Sequence, residues 1–352
     1  MRFVGRLILS AVILLLTAAV GAAACYLPNL FFAFYTDFSR NAAEFLAGIS
    51  GPFPFALWQV LLVLLVLLLL YGLVRTFVKK RGLLCWLAGV VVTASVLVFL
   101  FVGLWGVNHF APPVAQRVGL TVTEYSKEQL LSTTRYMAGQ AGQWADRVDR
   151  DENGDMAVNF SRLAAGAGEG FDRLEEENDF FRLDDPVVKP LLAGESFSYL
   201  GVTGIYIPFT GESCVNPNTY NASIPFTMCH ELSHSLTVAP EDEANFCAFL
   251  ACLNNEDPAF QYSGWYTAFV HTYNALKETD PEAAARVWDG LSQSLRRDCE
   301  QATQYYDQYE GEVQDAAKKF NDTYLKAFQE ESGIRSYGEV TDLLIAWYLE
   351  QA

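Results

Sequence analysis

The chain has 352 residues, enough for a membrane anchor followed by a domain of about 240 residues. Its formal net charge of −17 is unevenly placed: residues 1–110 hold 7 Lys/Arg and 2 Asp/Glu, leaving 17 and 39 for residues 111–352. The acidic remainder has no basic patch, which argues against nucleic acid as a partner and favours basic over acidic substrates.

Residues 7–27, LILSAVILLLTAAVGAAACYL, are long and apolar enough to span a bilayer. Arg2 and Arg6 precede them and hold the N-terminus in the cytoplasm. A cleaved signal peptide ending near Ala22-Ala23-Ala24 is the rival reading. A lipoprotein site at Cys25 fits less well, because Ala22 stands where a larger aliphatic residue is usual. Residues 28–54 are aromatic and punctuated by Pro28, Gly51, Pro52 and Pro54. They read as an interfacial loop with a short amphipathic helix on the outer side, or else as a docking surface for the large domain. Residues 55–74 form a second span, and Arg75, Lys79, Lys80 and Arg81 after it mark a cytoplasmic loop. The third span, 83–107, runs outward. The expected organisation is therefore a three-helix membrane anchor over 1–110 and an extracytoplasmic domain over 111–352, in a multi-pass protein of the cell membrane.

In the soluble part, residues 124–148 carry Leu130, Leu131, Met137 and Trp144 at helical spacing. Residues 149–155, DRDENGD, match the first half of a Ca²⁺ loop, but Phe160 stands where the bidentate Glu of an EF-hand belongs. A plain acidic turn is the better reading. A helix near 158–177 is weakened by Gly166, Gly168 and Gly170. Residues 197–210 contain the β-rich run Ile205-Tyr206-Ile207, a strand whose edge can pair with an extended peptide or belong to an ordinary core.

The chemistry concentrates at 225–246. His230, Glu231 and His234 spell H-E-x-x-H, and the chain has only four His. On a helix, positions i and i+4 share a face, so both imidazoles can grip one metal while Glu231 reaches an activated water. A hydrolytic zinc site needs a third protein ligand and one open position. Six residues beyond His234, Pro240 opens a new helix whose Glu241 and Asn245 share a face. Glu241 is the expected third ligand, with Asn245 supporting it from behind and Glu243 as the fallback. Residues 261–276 form a helix expected to pack on these two. Its Tyr262, Tyr266 and His271 are candidates to steady an oxyanion. Of the seven Cys, Cys214 and Cys229 could form a disulfide or stay as buried thiols. Residues 282–350 read as helical.

H-E-x-x-H followed by E-x-x-x-[DN] resembles the gluzincin metallopeptidases, and E-x-E-A-[DN] resembles the third-ligand helix of families M48 and M78. The gap between the two helices is shorter here than in M48. Taken with GIYIPFTGE (204–212), QYSGWY (261–266), NDTYLK (321–326) and GIRSYG (333–338) behind three spans, the chain resembles a bacterial membrane-protein family catalogued as a domain of unknown function, number 3810. That resemblance implies a zincin-like, mainly α (α+β) domain with a small edge-strand sheet. It adds Arg335 and Tyr337 as residues that line a cleft.

The expected function is a membrane-anchored zinc metallopeptidase acting on peptide or protein substrates outside the cytoplasm. One Zn²⁺ sits on His230, His234 and Glu241, and Glu231 takes a proton from the zinc-activated water. The alternative is a catalytically silent binding or sensor protein on the same fold.

Overall fold

The computed structural model describes residues 2–80, 82–327 and 337–351. The chain forms two compact units, Met1–Ala111 with Ile207–Glu212, and Pro112–Tyr206 with Ser213–Ala352.

The first unit holds helices α1 (Arg2–Tyr26), α2 (Pro28–Ser50), α3 (Leu57–Val78) and α4 (Leu83–Leu104). Three of them, α1, α3 and α4, are long and apolar enough to cross a membrane. Their Leu side chains, such as Leu15, Leu68 and Leu84, face outward. Lipid is the solvent in which such surfaces are stable. At one end of α1 and α4, the Arg6 guanidinium donates to the Cys85 carbonyl. At the other end Ala24 and Val107 form a small core with Phe32 and Tyr35 of α2, bordered by Val20 and Val102. The Trp86 indole N–H of α4 donates to the Leu69 carbonyl of α3 at 3.2 Å. Arg81, read above as part of the basic loop, lies outside the described residues.

Residues 28–50 differ from the expected loop with a short helix, being one helix of 23 residues. The prolines do not interrupt it. Pro28 sits in the first turn, where its missing N–H is not needed, and Pro52 and Pro54 fall beyond its last residue. The start of α3 has no capping side chain of its own. The Glu212 carboxylate supplies it, accepting from the Leu57 N–H at 2.7 Å and the Trp58 N–H at 2.8 Å. Beside it, Gly211 has φ +63°, and a Cβ there would stand 2.6 Å from the Ala43 carbonyl oxygen, so only glycine fits.

The second unit is mostly helical: α5 (Val114–Val118), α6 (Lys127–Ala145), α7 (Phe160–Gly166), α8 (Glu169–Glu177), α9 (Gly194–Tyr199), α10 (Ile224–Ser235), α11 (Glu241–Asn254), α12 (Pro258–Thr279), α13 (Pro281–Asp289), α14 (Gln293–Asp307), α15 (Glu312–Ala327) and α16 (Tyr337–Gln351). Its small sheet contains β1 (Val188–Pro190), β2 (Gly204–Ile207) and β3 (Glu212–Val215) in the order β1-β3-β2, with β1 parallel to β3. The glycine-weakened helix at 158–177 is split into α7 and α8 at Ala167-Gly168. Met228, Leu232, Phe246, Phe249, Phe260 and Phe269 from α10, α11 and α12 are buried together. Each such side chain contributes roughly 1.5–3 kcal/mol on burial.

One polar knot lies in this core. The fully buried Asp298 carboxylate accepts from Arg150 at 2.8 and 2.9 Å, from the Tyr262 hydroxyl, and from Tyr220 at 3.4 Å. The 149–155 loop adjoins this knot through Arg150, which also donates to the Gly154 carbonyl at 2.9 Å. Asp151 accepts the Asn153 and Asp155 N–H groups, and the Arg297 guanidinium donates to the Asn153 carbonyl.

Candidate metal site

α10 carries His230 and His234 one turn apart, their rings 4.7 Å between centroids and nearly perpendicular. The chain then reverses within five residues, Leu236–Pro240. Thr237 makes this possible by adopting φ +66°, a left-handed conformation that β-branched residues avoid. Its N–H donates to the His234 carbonyl at 3.0 Å. The reversal also brings the Val238 carbonyl to 2.7 Å from His234 Nδ1. An Nδ1–H donated there turns Nε2 to the opposite side of the ring.

Glu241, the first residue of α11, meets that side. Its carboxylate oxygens lie 3.2 Å from His230 Nε2 and 3.8 Å from His234 Nε2. One donor atom from each of the three residues falls within 4.8 Å of the others. A tetrahedral ion with bonds of about 2.0–2.1 Å spaces its donors about 3.3 Å apart, so this set fits a divalent metal of the zinc type. The Glu241 carboxyl is held well below the usual carboxylate range. Burial works against this, and the two imidazoles, His234 foremost, overcome it. For His234, burial favours the neutral ring, but the Glu241 charge prevails and raises it to about 9.

Glu231 sits beside these donors with 4% of its surface exposed. Its Oε2 is buried without a hydrogen-bond partner, as is His230 Nδ1. Burial pushes its carboxyl up to about 7, against the opposing pull of His230 and His234. Its backbone is fixed, since the Ser213 hydroxyl of β3 donates to the Glu231 carbonyl at 2.8 Å. Ser235 in turn pairs with the Ser213 hydroxyl at 2.9 Å.

Strand β2 is an edge of the sheet. Its alternate residues Gly204 and Tyr206 share one face, and that face lies on α10. The Tyr206 ring is 6.4 Å from that of His234. A Cβ on Gly204 would stand 2.8 Å from Glu231 Cγ and Cδ.

The other residues singled out in the sequence are placed elsewhere. Glu243 accepts the Val114 N–H at 3.1 Å, which turns it away from the histidines and leaves Glu241 as the carboxylate facing them. Asn245 is half-buried one turn along α11. Tyr262 is committed to Asp298, and Tyr266 packs on Tyr220 and Tyr262. Burial foremost, with His230 adding to it, drives His271 on α12 down to about 4, which favours the neutral ring. Arg335 lies outside the described residues, as does the side chain of Tyr337, the first residue of α16. Cys214 and Cys229 are buried and are not joined in a disulfide. Gly204, Ser213 and Val238 are contacts of the site that the sequence does not single out.

The chain belongs to the family described as protein of unknown function (DUF3810). The match covers residues 34–345, which takes in most of α2, α3 to α15, the first part of α16 and every residue of the candidate site. No curated protein and no solved structure matches the chain. Family membership therefore extends over the site without assigning it a reaction.

Proposed function

We propose that the protein is a multi-pass membrane metallopeptidase with a zincin-like site, hydrolysing peptide bonds outside the cytoplasm. The observation that carries this reading is the convergence of two histidine Nε2 atoms on Glu241 beside Glu231, whose Oε2 is buried without a hydrogen-bond partner. His230, His234 and Glu241 would hold the ion. Zinc, when bound, supplies a Lewis acid that acidifies water and polarises a carbonyl. Glu231, with its proton affinity raised to about 7, is suited to accept a proton from water and pass it to the leaving amine. Val238 holds the His234 ring in the tautomer that a ligand needs. The edge of β2, running over Glu231, offers backbone groups to an extended peptide.

The test is metal content and peptide hydrolysis of the full-length protein in detergent. About one zinc per chain is expected, lost in His230→Ala. Glu231→Gln should keep the zinc and lose turnover by a factor of roughly 10²–10⁴ or more. Metal-free wild type that is well folded would overturn the reading. A zinc-loaded wild type that cleaves nothing in a broad peptide library would favour a silent binding protein instead.

A further inference from the structure

We infer that α2 is a membrane-surface helix that inserts a row of apolar side chains among lipid acyl chains. Leu30, Phe34, Phe38, Phe45 and Ile49 are each between 53 and 76% exposed. At 100° per residue they fall within an arc of about 100° on one side of the helix. The opposite side is the one that packs, through Phe32, Tyr35, Ser39 and Ala43. The Tyr35 hydroxyl donates to the Gly103 carbonyl near the end of α4 at 3.0 Å, fixing which face turns outward. An isolated exposed Leu is ordinary, but five large apolar residues aligned on a helix of this length call for an apolar partner.

The occupant follows from where the row begins. Phe31, Phe32 and Tyr35 pack on Val20 and Ala24 of α1 and on Val102 of α4, at the ends of helices long and apolar enough to cross a membrane. The row thus continues a lipid-facing surface. Asp37 borders it and Asn41 interrupts it, so α2 suits the headgroup boundary and not the hydrocarbon centre. With Asp37, Arg40 and Glu44 it carries one net negative charge, so attraction to anionic headgroups does not drive the contact. This inference does not depend on the metal site.

The test uses the full-length chain in phosphatidylcholine vesicles, with benzoylphenylalanine replacing Phe34, Phe38 or Phe45 one at a time. The same probe at Leu67 of α3 serves as the lipid-facing reference, and at buried Phe32 as the negative control. After irradiation, mass analysis should find phospholipid adducts at all three α2 positions and at Leu67, and none at Phe32. Yields should be unchanged when anionic lipid is added. Lipid adducts at Leu67 with none on α2, adducts to a second copy of the chain in their place, or labelling that requires anionic lipid would each overturn the inference.

Discussion

Where Gly204 lacks a side chain, the carboxyl arm of Glu231 occupies the space, and each residue therefore constrains the other. A Cβ added at 204 would overlap Glu231 Cγ and Cδ at 2.8 Å, a separation that real Cβ atoms do not tolerate. Glu231 is buried on a helix and its backbone is pinned by Ser213, so it cannot step aside freely. Gly204→Ala should therefore destabilise the fold by about 1–3 kcal/mol, the range typical of overpacking. In a Glu231→Ala background the same change should cost little, because the overlapping atoms are gone. Denaturant melts of the four proteins in a double-mutant cycle measure this coupling, and additive effects would show that the strand does not rest on Glu231. The pair also marks how far the site could be read from the sequence. His230, Glu231 and His234 stand out because helical periodicity is local, and the facing of Glu241 follows from the same geometry one helix later. Gly204 does not stand out, because its role depends on a strand passing over α10, and nothing within a few residues of 204 encodes that approach. Thr237 is equally silent: a β-branched residue at φ +66° is imposed by the reversal between two packed helices, against its own preference.

Helices in this chain start and stop where their end groups find partners, and the partners can be remote. Ser126 and Gln129 form a capping box at the start of α6, a signal visible in four consecutive residues. For α3 the capping group is Glu212, 155 residues away from Leu57. No pattern in residues 211–218 links them to α3. The same limit applies to Tyr262, whose hydroxyl is drawn to Asp298 by a packing arrangement of α6, α12 and α14 that spacing alone does not reveal. By contrast the length of α2 is legible position by position, because Pro28 stands in its first turn and Pro52 and Pro54 fall beyond its end. The cap carries a prediction. Glu212→Ala removes both acceptors from the Leu57 and Trp58 amides, a loss of about 1–3 kcal/mol for the first turn of α3. Hydrogen exchange of the full-length protein in detergent should speed up at residues 57 and 58 by roughly tenfold or more, while α4 stays protected. Unchanged exchange there would mean that water or another group caps α3.

At the scale of the whole chain, charge and helix direction make the same claim about orientation. The contact of Arg6 with Cys85 joins the beginnings of α1 and α4, and the cluster of Ala24 with Val107 joins their ends. The two helices therefore run in the same direction. α3 precedes α4 after a short turn and returns the other way, so Arg2, Arg6, Arg75, Lys79 and Lys80 all belong to one end of the bundle. The far end carries α2, with one positive and two negative residues. Basic residues flanking short loops are retained in the cytoplasm, which predicts an inside turn at Lys79–Lys80 and an outward path through α4. On that prediction the acidic remainder, 17 Lys/Arg against 39 Asp/Glu, would follow on the outer side. A pair of reporter fusions tests this in bacterial cells. A reporter active only outside the cytoplasm should be active when fused after Ala352 and silent when fused after Lys80, and a cytoplasmic reporter should give the reverse. Replacing Arg75, Lys79 and Lys80 by Gln should weaken the asymmetry, because those three charges carry most of the retention signal at the turn. Activity of the outer reporter after Lys80 in the unmodified chain would invert the topology, and with it the compartment in which Glu231 would act.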